Sequence, residues 1–413
     1  MKRILKKTGK VLFYTFIALF LSVNAFILLS GRLYLYKGIT NTYLVGKSGP
    51  TIYDQDVFYS STIKGTSKKE WVEDKKFNSQ SISVSLREYI EDLDTKAFLV
   101  FKGDTLLYEE YWDDHTDETV SNSFSVSKTL VSILVGIAIE EGKIESLDVS
   151  ASKYIPEFKN DERKKVTIRH LLTMSSGLDW SESGANPLSD NAESYYGWDL
   201  RELVMSQKLI TEPGKKFNYQ SGNTELLGFI VEKATGVDLT KYAEDKVWSK
   251  IGANDNAYWS LDKEGGDEKS FCCIYATARD YARIGSLLLH KGKIGDEQII
   301  PKWFYDEMIV PAKMTTKEGV PNTRYGLHIW TYFGKTNPVY YARGIKGQFI
   351  ITIPKENLMI VRLGSDRMPL FKIPEHLKND KDYLRQNQDE IGHGLDLFQY
   401  IALGKMIKSQ TDF

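Results

Sequence analysis

Cysteine is almost absent from this chain of 413 residues, and the two cysteines that it has, Cys272 and Cys273, are adjacent. Adjacent cysteines cannot close a long loop and lack the spacing of a metal-binding pair, so the sequence contains no disulfide framework. The six histidines form no His-x-x-x-His pair and no glutamate-flanked pair of the kind that binds zinc. The sequence therefore predicts no metal site.

A charge excess of either sign is also absent. The 54 lysines and arginines are balanced by 55 aspartates and glutamates, which gives a formal net charge of -1 at pH 7. A near-neutral chain offers no electrostatic attraction for nucleic acid, so we expect no nucleic-acid partner. With 42% hydrophobic and 26% charged residues, the composition is that of a globular protein, and the sequence contains no internal repeat.

The longest hydrophobic run lies at the amino terminus. Five positive charges in the first ten residues precede Val11 to Ser30, twenty residues without a charge, of which thirteen are Leu, Ile, Phe or Val. Twenty helical residues span about 30 Å, the thickness of the hydrocarbon core of a bilayer. No Ala-x-Ala cleavage site lies near Gly31, which favours an uncleaved anchor over a removed signal peptide. The positive flank predicts a single-pass membrane protein with a cytoplasmic amino terminus.

This anchor divides the chain into three parts. Residues 1–31 are interpreted as the cytoplasmic tip and transmembrane anchor. Residues 32–80 are polar and broken by Gly46 to Pro50, and we interpret them as a stalk or linker. Residues 81–413 are expected to form one domain outside the cytoplasm, in the periplasm or at the cell surface.

Strand patterns occur at both ends of this domain. Strands are predicted at residues 97–101, 105–108, 339–344, 348–353 and 358–363. A mostly helical region at about 129–292 separates the two groups, and a closing helix is predicted at 389–407. This order predicts an α+β fold in which one antiparallel sheet, assembled from both ends and flanked by helices, carries an inserted helical lobe.

The segment Phe124-Ser125-Val126-Ser127-Lys128 runs into Leu130 to Ile139, which is apolar all round and predicts a buried helix. A hydroxyl beside an amine one turn away is the beginning of nucleophilic catalysis. Three other Ser-x-x-Lys segments, which begin at Ser61, Ser150 and Ser260, lie in polar stretches without such a helix. The alternative reading of Ser125 is a helix N-cap with a solvated lysine.

Tyr219 lies in a loop rich in proline and glycine, immediately before an apolar helix. If Lys128 stays charged beside it, the phenolate is favoured, and either group could move the proton of Ser125 to a leaving group. The alternative is that Tyr219 is one of 24 tyrosines and packs a loop. A second loop, Arg343 to Gln348, joins two predicted strands, and its glycines fit either an oxyanion hole or a tight β-turn.

A long polar loop at residues 178–199 carries Trp180, Tyr195, Tyr196 and Trp198. Loops of this length are usually functional or disordered, and the aromatic content argues against disorder. We expect the loop to cover a cleft, with Trp180 and Trp198 shaping the choice of substrate.

Taken together, these segments resemble the serine β-lactamase and penicillin-recognising superfamily. The resemblance is to the class C-like branch of esterases, D-amino-acid peptidases and 6-aminohexanoate-dimer hydrolase, and it covers roughly residues 82–365. Further matching segments are Asp148-Val149, Tyr154-Ile155-Pro156-Glu157, Thr167 to Leu178, Glu212-Pro213-Gly214 and Ala278 to Gly285.

The resemblance implies a β-lactamase/transpeptidase-like fold and a serine hydrolase that opens a small or short peptide-like amide or ester, with no metal or organic cofactor. Ser125 would be the acylated nucleophile, Lys128 its proton partner, and Tyr219 the general base and later acid. The backbone N–H groups of Ser125 and Ile345 would form the oxyanion hole. The resemblance also implies substrate contacts, for which the candidates are Ser221 and Gly344.

Two motifs depart from the pattern of β-lactamases. Tyr219-Gln220-Ser221 has serine where those enzymes usually have asparagine, which resembles the aminohexanoate-dimer hydrolase subgroup. Ala342-Arg343-Gly344 stands where they have Lys-Thr-Gly, a cationic site for the antibiotic's carboxylate, so we expect little β-lactamase activity. The alternatives are a cell-wall DD-peptidase or weak penicillin-binding protein, and a binding or sensor module that kept the fold without turnover.

Overall fold

The computed structural model describes residues 2–66, 70–334 and 337–411. The α-helices are α1 (Lys2–Ser30), α2 (Tyr34–Asn41), α3 (Val84–Asp92), α4 (Ser127–Glu140), α5 (Ile168–Leu172), α6 (Asp190–Tyr196), α7 (Leu200–Met205), α8 (Ser221–Thr235), α9 (Leu239–Ala243), α10 (Ser249–Ile251), α11 (Ala278–Leu289), α12 (Lys302–Met308), α13 (Lys381–Asn387) and α14 (Leu395–Ser409).

The strands are β1 (Ser60–Ile63), β2 (Val72–Glu73), β3 (Thr95–Lys102), β4 (Thr105–Tyr111), β5 (Ser121–Asn122), β6 (Lys216–Phe217), β7 (Ala257–Ser260), β8 (Ile274–Ala276), β9 (Lys293–Ile294), β10 (Glu297–Gln298), β11 (Thr315–Thr316), β12 (Trp330–Tyr332), β13 (Val339–Gly344), β14 (Gln348–Ile353) and β15 (Leu358–Gly364).

The principal sheet has seven strands in the order β12-β13-β14-β15-β3-β4-β2. Its two halves join where β15 pairs antiparallel with β3, which sets Val361 opposite Leu99. The pairings are antiparallel except that of β2 with β4. The predicted sheet from both ends of the domain is therefore confirmed.

Helices cover both faces of this sheet. On one face, α3 and α14 bury apolar side chains against β3, β14 and β15. On the other face, α11 packs against β14 and β15 and leads into the larger core, which includes α4 and α8. This second face carries the predicted helical lobe.

Helix α4 is buried almost throughout, as its all-round apolar sequence predicts. Every residue from Ser127 to Ala138 is buried, and α4 packs against α8. Gly142 follows the helix with φ 68°, a left-handed conformation that glycine adopts without steric cost. The packing of this buried helix therefore fixes the positions of the residues at its amino-terminal end.

A second sheet, in the order β1-β7-β8-β5, was not predicted. Its strands are two to four residues long, which is too short for an alternating pattern to be recognised. Two further elements differ from prediction. The loop at 178–199 contains α6, and the closing helix begins at Leu395 rather than at 389, because Gly392 adopts φ 83° just before it.

Residues 32–80 differ from the predicted stalk. Strand β1 pairs with β7 and β2 with β4, so both belong to sheets of the domain that follows residue 81. Ile52, Phe58 and Ile63 are buried in the larger core. The segment between α1 and residue 81 is therefore packed onto the domain.

Among the described residues one helix, α1, is long and apolar enough over Thr8–Ser30 to cross a membrane. Only the length and the composition of α1 support a membrane span, and a signal sequence near the amino terminus has the same two features. Only 6% of the apolar window is buried against the rest of the chain.

Candidate active site

Ser125 lies in a single 3₁₀ turn, Phe124–Val126, that leads directly into α4. Phe124 adopts φ 45°, which is uncommon for a residue with a side chain, and its amide donates to Asn122 Oδ1 at 2.8 Å. A backbone held in such a conformation is frequent at functional sites. The turn brings the Ser125 side chain to the wall of a cavity at the start of the helix.

Lys128 follows Ser125 by three residues, and its side chain contacts the Ser125 hydroxyl. Its Nζ donates to Ser125 Oγ at 3.0 Å and to the carbonyl oxygen of Phe271 at 2.6 Å. The side chain is buried, and the loss of hydration lowers the pKa of Lys128 to about 8, although Glu182 and Glu225 act to raise it. A lysine with this pKa is partly neutral near pH 7 and is able to accept a proton.

The carbonyl group that fixes Lys128 belongs to a short buried segment before β8. Cys272 and Cys273 follow Phe271 directly, and their sulfur atoms are bonded to each other, with Cα atoms 3.7 Å apart. This pairing agrees with the prediction that the cysteines close no long loop. The preceding residue, Ser270, accepts a hydrogen bond from Ser127 Oγ at 3.3 Å, so the segment supports two residues of the α4 terminus.

Tyr219 contributes its ring to the same cavity. Lys128 Nζ lies 5.3 Å from the centroid of this ring, and Trp330 stacks on the ring with centroids 5.6 Å apart. Burial raises the pKa of Tyr219, and the nearby carboxylate of Glu182 raises it further, whereas the neighbouring Ser125 hydroxyl lowers it. The phenol is therefore expected to stay protonated in the free protein.

Ser125 and Ile345, whose backbone amides are predicted to form the oxyanion hole, both line the cavity. Gly344 precedes Ile345, and a Cβ atom there would lie 2.3 Å from the Ser123 carbonyl oxygen, so only glycine fits. The cavity is therefore next to both residues of the predicted oxyanion hole.

The cavity has a volume of about 500 Å³. Most of its lining residues are polar or charged, with Phe217, Trp330, Ile345 and Leu370 as the larger apolar members. The lining residues are Ser125, Glu182, Gly184, Asn191, Phe217, Asn218, Tyr219, Lys317, Glu318, Arg324, Trp330, Arg343, Gly344, Ile345, Arg367, Leu370 and Gly392. This size suits a small molecule or a short peptide-like chain.

Of the four predicted substrate contacts, Gly344 lines the cavity. Ser221 is buried, and its hydroxyl donates to Glu182 Oε1 at 2.7 Å. Trp180 is also buried, with Nε1 donating to Glu182 Oε2 at 2.7 Å and its ring against Gly222. Trp198 is 44% exposed. These last three side chains are outside the cavity lining that the structure describes.

The 178–199 loop does line the cavity, through polar residues that were not predicted. They are Glu182, Gly184 and Asn191. Glu182 accepts from the Ser221 amide at 2.6 Å, so its carboxylate also caps the first turn of α8, which follows Tyr219. No sequence signal separated Glu182 from the other acidic residues of the loop.

Two arginines that were not among the predicted site residues, Arg343 and Arg367, lie on one wall of the cavity. The Arg343 guanidinium lies 3.7 Å from the centroid of the Trp330 ring and donates to the Gly392 carbonyl oxygen at 3.1 Å. Arg367 lies near it, and burial, followed by repulsion from the charge of Arg343, lowers the pKa of Arg367. Within the described residues, neither guanidinium is ion-paired. They give this wall of the cavity a positive charge.

Arg362 supports the turn that carries the Ile345 amide. Its side chain is fully buried, and its guanidinium lies beneath Gly347, which adopts φ 82°. The guanidinium donates to the carbonyl oxygens of Lys346, Gly347, Asp366 and Leu93 and to the hydroxyl of Thr95.

Replacing Arg362 by methionine is expected to destabilise the fold by about 3 kcal/mol or more, because buried carbonyl groups would lose their donors. The free energy of unfolding in urea measures this loss. Replacing the exposed Arg385, which pairs with Asp382 on α13, is the matched control and should change stability by about 0.5 kcal/mol or less. Equal effects of the two replacements would contradict the role given to Arg362.

Comparison with known proteins agrees with this geometry. The sequence profile of the beta-lactamase family matches residues 86–372. The chain is 27% identical to 6-aminohexanoate-dimer hydrolase of Paenarthrobacter ureafaciens over 296 residues, which are 68% of this chain and 75% of that protein. It is 30% identical to esterase EstB of Burkholderia gladioli over 161 residues, 36% of this chain and 41% of that one.

A solved structure shares the fold. A protein from Bacillus anthracis, provisionally described as a 6-aminohexanoate-dimer hydrolase, superposes with a TM-score of 0.69 at 21% identity and covers 87% of this chain and 94% of that one. The predicted β-lactamase/transpeptidase-like fold is thus confirmed. The chain belongs to the beta-lactamase family, a family of serine hydrolases, and is related to 6-aminohexanoate-dimer hydrolase and to esterases.

Proposed function

We propose that this protein is a membrane-anchored hydrolase that cleaves an amide or ester bond through an acyl-enzyme on Ser125. The observation that carries the proposal is the 3.0 Å contact between Lys128 Nζ and Ser125 Oγ, at the wall of a cavity that also holds Tyr219. A buried amine with a pKa of about 8 is a suitable base for a serine hydroxyl.

In the acylation step, Ser125 Oγ attacks the carbonyl carbon of the substrate while its proton passes to Lys128 Nζ. The negative charge that develops on the carbonyl oxygen is stabilised by the amides of Ser125 and Ile345. The bond to the leaving nitrogen or oxygen then breaks. The leaving atom takes the phenolic proton of Tyr219, which is replenished from Lys128.

In deacylation a water molecule attacks the ester of Ser125 and its proton returns by the same route. This assignment refines the role that the resemblance implied for Tyr219. Because its pKa is raised while that of Lys128 is lowered, Lys128 is the group that accepts the proton first.

The proposal predicts that kcat/KM rises with pH and levels off above about 8, because the neutral form of Lys128 is the active one. A pH profile of ester hydrolysis between pH 6 and 10 measures the midpoint. Glu182→Gln keeps one of the two acceptor oxygens and removes the negative charge that raises the pKa of Lys128, so the midpoint should move to lower pH. A flat profile in the wild type, or a shift to higher pH in the variant, would contradict this role of Lys128.

The positive wall formed by Arg343 and Arg367 supports substrates that carry a carboxylate on the leaving group. A dimer of 6-aminohexanoate, the compound in the name of the relative from Paenarthrobacter ureafaciens, carries a carboxylate at the end of its leaving group when it is linear. A panel of short esters and amides, each with and without a terminal carboxylate, tests this preference. Equal kcat/KM values for the substrates with and without the carboxylate would contradict this preference.

Two alternatives remain from the sequence. A cell-wall DD-peptidase or weak penicillin-binding protein would be labelled covalently by a fluorescent penicillin, whereas the amidase or esterase proposed here would be labelled poorly. A binding or sensor module without turnover would fail to react with a fluorophosphonate, a reagent for activated serines. The contact between Lys128 and Ser125 favours a reactive serine over such a module.

The membrane anchor is proposed from α1, whose apolar window Thr8–Ser30 is long enough to span a bilayer. The positive charges of the first ten residues support a cytoplasmic amino terminus and a catalytic domain on the other side. Protease digestion of intact and permeabilised cells tests this topology. In cells whose membrane is open to the medium, protease is expected to digest the catalytic domain without permeabilisation.

A further inference from the structure

The end of the apolar helix is in direct contact with α2. The Tyr36 hydroxyl on α2 donates to Asn24 Oδ1 on α1 at 2.7 Å, and Asn24 Nδ2 donates to the Phe20 carbonyl oxygen at 2.8 Å. Asn24 lies six residues before the end of α1 at Ser30, a rise of about 9 Å. Ile27, between them, is 1% exposed. Helix α2 therefore lies beside the last two turns of α1.

This arrangement sets the height of α2 relative to a bilayer. If α1 spans the membrane, its last two turns are within the outer leaflet, and a residue that contacts Asn24 is at the level of the headgroups or below. Tyrosine is a residue that favours this level, because its ring is apolar and its hydroxyl is polar. Helix α2 is then an interfacial helix rather than part of an extended stalk.

On the other side, the start of α2 and the residues just before it contact the 178–199 loop, which lines the cavity. Arg32 Nη1 donates to the Leu188 carbonyl oxygen at 3.1 Å and pairs with Glu193 at 3.4 Å. The Tyr34 hydroxyl donates to the Pro187 carbonyl oxygen at 3.0 Å. Gly184 of the same loop lines both the cavity of Ser125 and a cleft against α2. The 178–199 loop therefore lies between the cavity and α2.

An exposed apolar patch continues from α2. Tyr43, Leu44 and Val45 follow it in a 3₁₀ turn and are 68%, 73% and 58% exposed; we call these three residues the 43–45 patch. Leu33, just before α2, is 45% exposed. Three consecutive apolar side chains in water are unfavourable, and burying them in lipid would recover about 25 cal/mol for each Å² removed from water.

We propose that the 43–45 patch lies in the lipid headgroup region and, together with α2, seats the catalytic domain on the bilayer with the cavity at the lipid–water interface. The occupant is the lipid surface, since the patch is continuous with the helix that enters it. The substrate class that follows is an amide or ester carried by a membrane-associated amphiphile. This inference rests on the proposed anchor and the proposed hydrolase activity.

Lipid contact is tested by fluorescence with the full-length protein in phosphatidylcholine vesicles. Leu44→Cys is labelled with bimane, and quenching by lipid that carries a spin label near the headgroup is measured. The matched control is Val84→Cys, 72% exposed at the start of α3, which packs on the opposite face of the seven-stranded sheet from α4 and α8. The native cysteines are buried and bonded to each other, so a single site is labelled.

Strong quenching at position 44 with little at position 84 is the expected result. Equal quenching at both positions, or none at position 44, would overturn the proposal. This measurement needs no enzymatic activity, so it decides the lipid contact even if the hydrolase proposal fails.

The substrate class is tested by two esters with the same acyl group, one with a short soluble alcohol and one with a long alkyl chain that enters the vesicles. In the double variant Leu44→Glu and Val45→Glu, kcat/KM for the vesicle-borne ester should fall at least about fivefold relative to the soluble ester. An equal change for the two esters, or no change, would overturn the proposal. If the wild type hydrolyses neither ester, the proposed activity is what fails.

Discussion

Replacing Ser125 by alanine is expected to lower kcat for ester or amide hydrolysis by about 10³-fold or more, with the fold intact. The loss follows because no other hydroxyl on the cavity wall has a buried amine within hydrogen-bond distance, among the residues that the structure describes. Removing one oxygen atom leaves Lys128 bound to the Phe271 carbonyl, so the packing of α4 is retained. Steady-state kinetics and the thermal unfolding midpoint measure the two quantities separately.

Ser127→Ala is the matched control for this replacement. Ser127 is two residues away, is buried whereas Ser125 is half-buried, and donates to the Ser270 carbonyl oxygen rather than to a group in the cavity. We expect this variant to lose about 1 kcal/mol of stability and little activity. If Ser125→Ala retained activity close to that of Ser127→Ala, the hydrolysis would have to use another nucleophile.

Replacing Tyr219 by phenylalanine is expected to lower kcat by about 10²- to 10⁴-fold, the range typical of a lost general acid or base. The ring would keep its stacking on Trp330 and its edge contact with Tyr325, so stability should change little. The phenolic proton would be missing at the leaving group. Esters with a good leaving group, such as nitrophenolate, should therefore lose less activity than amides.

Tyr340→Phe serves as the control for Tyr219, because Tyr340 is on β13 but lies outside the cavity lining. Its activity is expected to match the wild type. The proton role of Tyr219 would be contradicted if Tyr219→Phe lowered kcat/KM, which reports acylation and not deacylation, by the same factor for amides and nitrophenyl esters, since nitrophenolate needs no proton to leave.

The principal sheet could be predicted from the sequence because its central strands are continuous apolar segments. Strands β13 and β14 have the predicted bounds, and β15 extends one residue further, to Gly364. Helix α4 could be predicted for a related reason, since a segment that is apolar all round is stable only when it is buried. In both cases the local sequence contains the information that determines burial.

The second sheet and the packing of residues 32–80 could not be predicted in this way. Strands β5 and β8 are two and three residues long, and their pairing depends on contacts between segments more than 150 residues apart. The segment before residue 81 is polar overall, yet a few apolar residues such as Ile52 and Phe58 suffice to attach it to the core. Such contacts leave no periodic pattern in the sequence.

The candidate site was predictable to a different degree for each residue. The positions of Ser125, Lys128 and Tyr219 follow from local motifs. In the structure, Ser125 and Tyr219 line one cavity and Lys128 is hydrogen-bonded to Ser125. Trp180 was expected at the substrate, but its ring packs against Gly222, and its indole N–H binds Glu182. The sequence predicts a substrate contact from this large aromatic side chain, whereas in the structure Trp180 is buried and holds the loop in place.

The most direct test of the account is to locate the covalent adduct by mass spectrometry. The full-length protein is incubated with a fluorophosphonate, digested, and the modified peptide is sequenced. The account predicts a single adduct on Ser125, which is absent from Ser125→Ala. An adduct on another serine, or hydrolysis by a wild-type protein that forms no adduct, would contradict it.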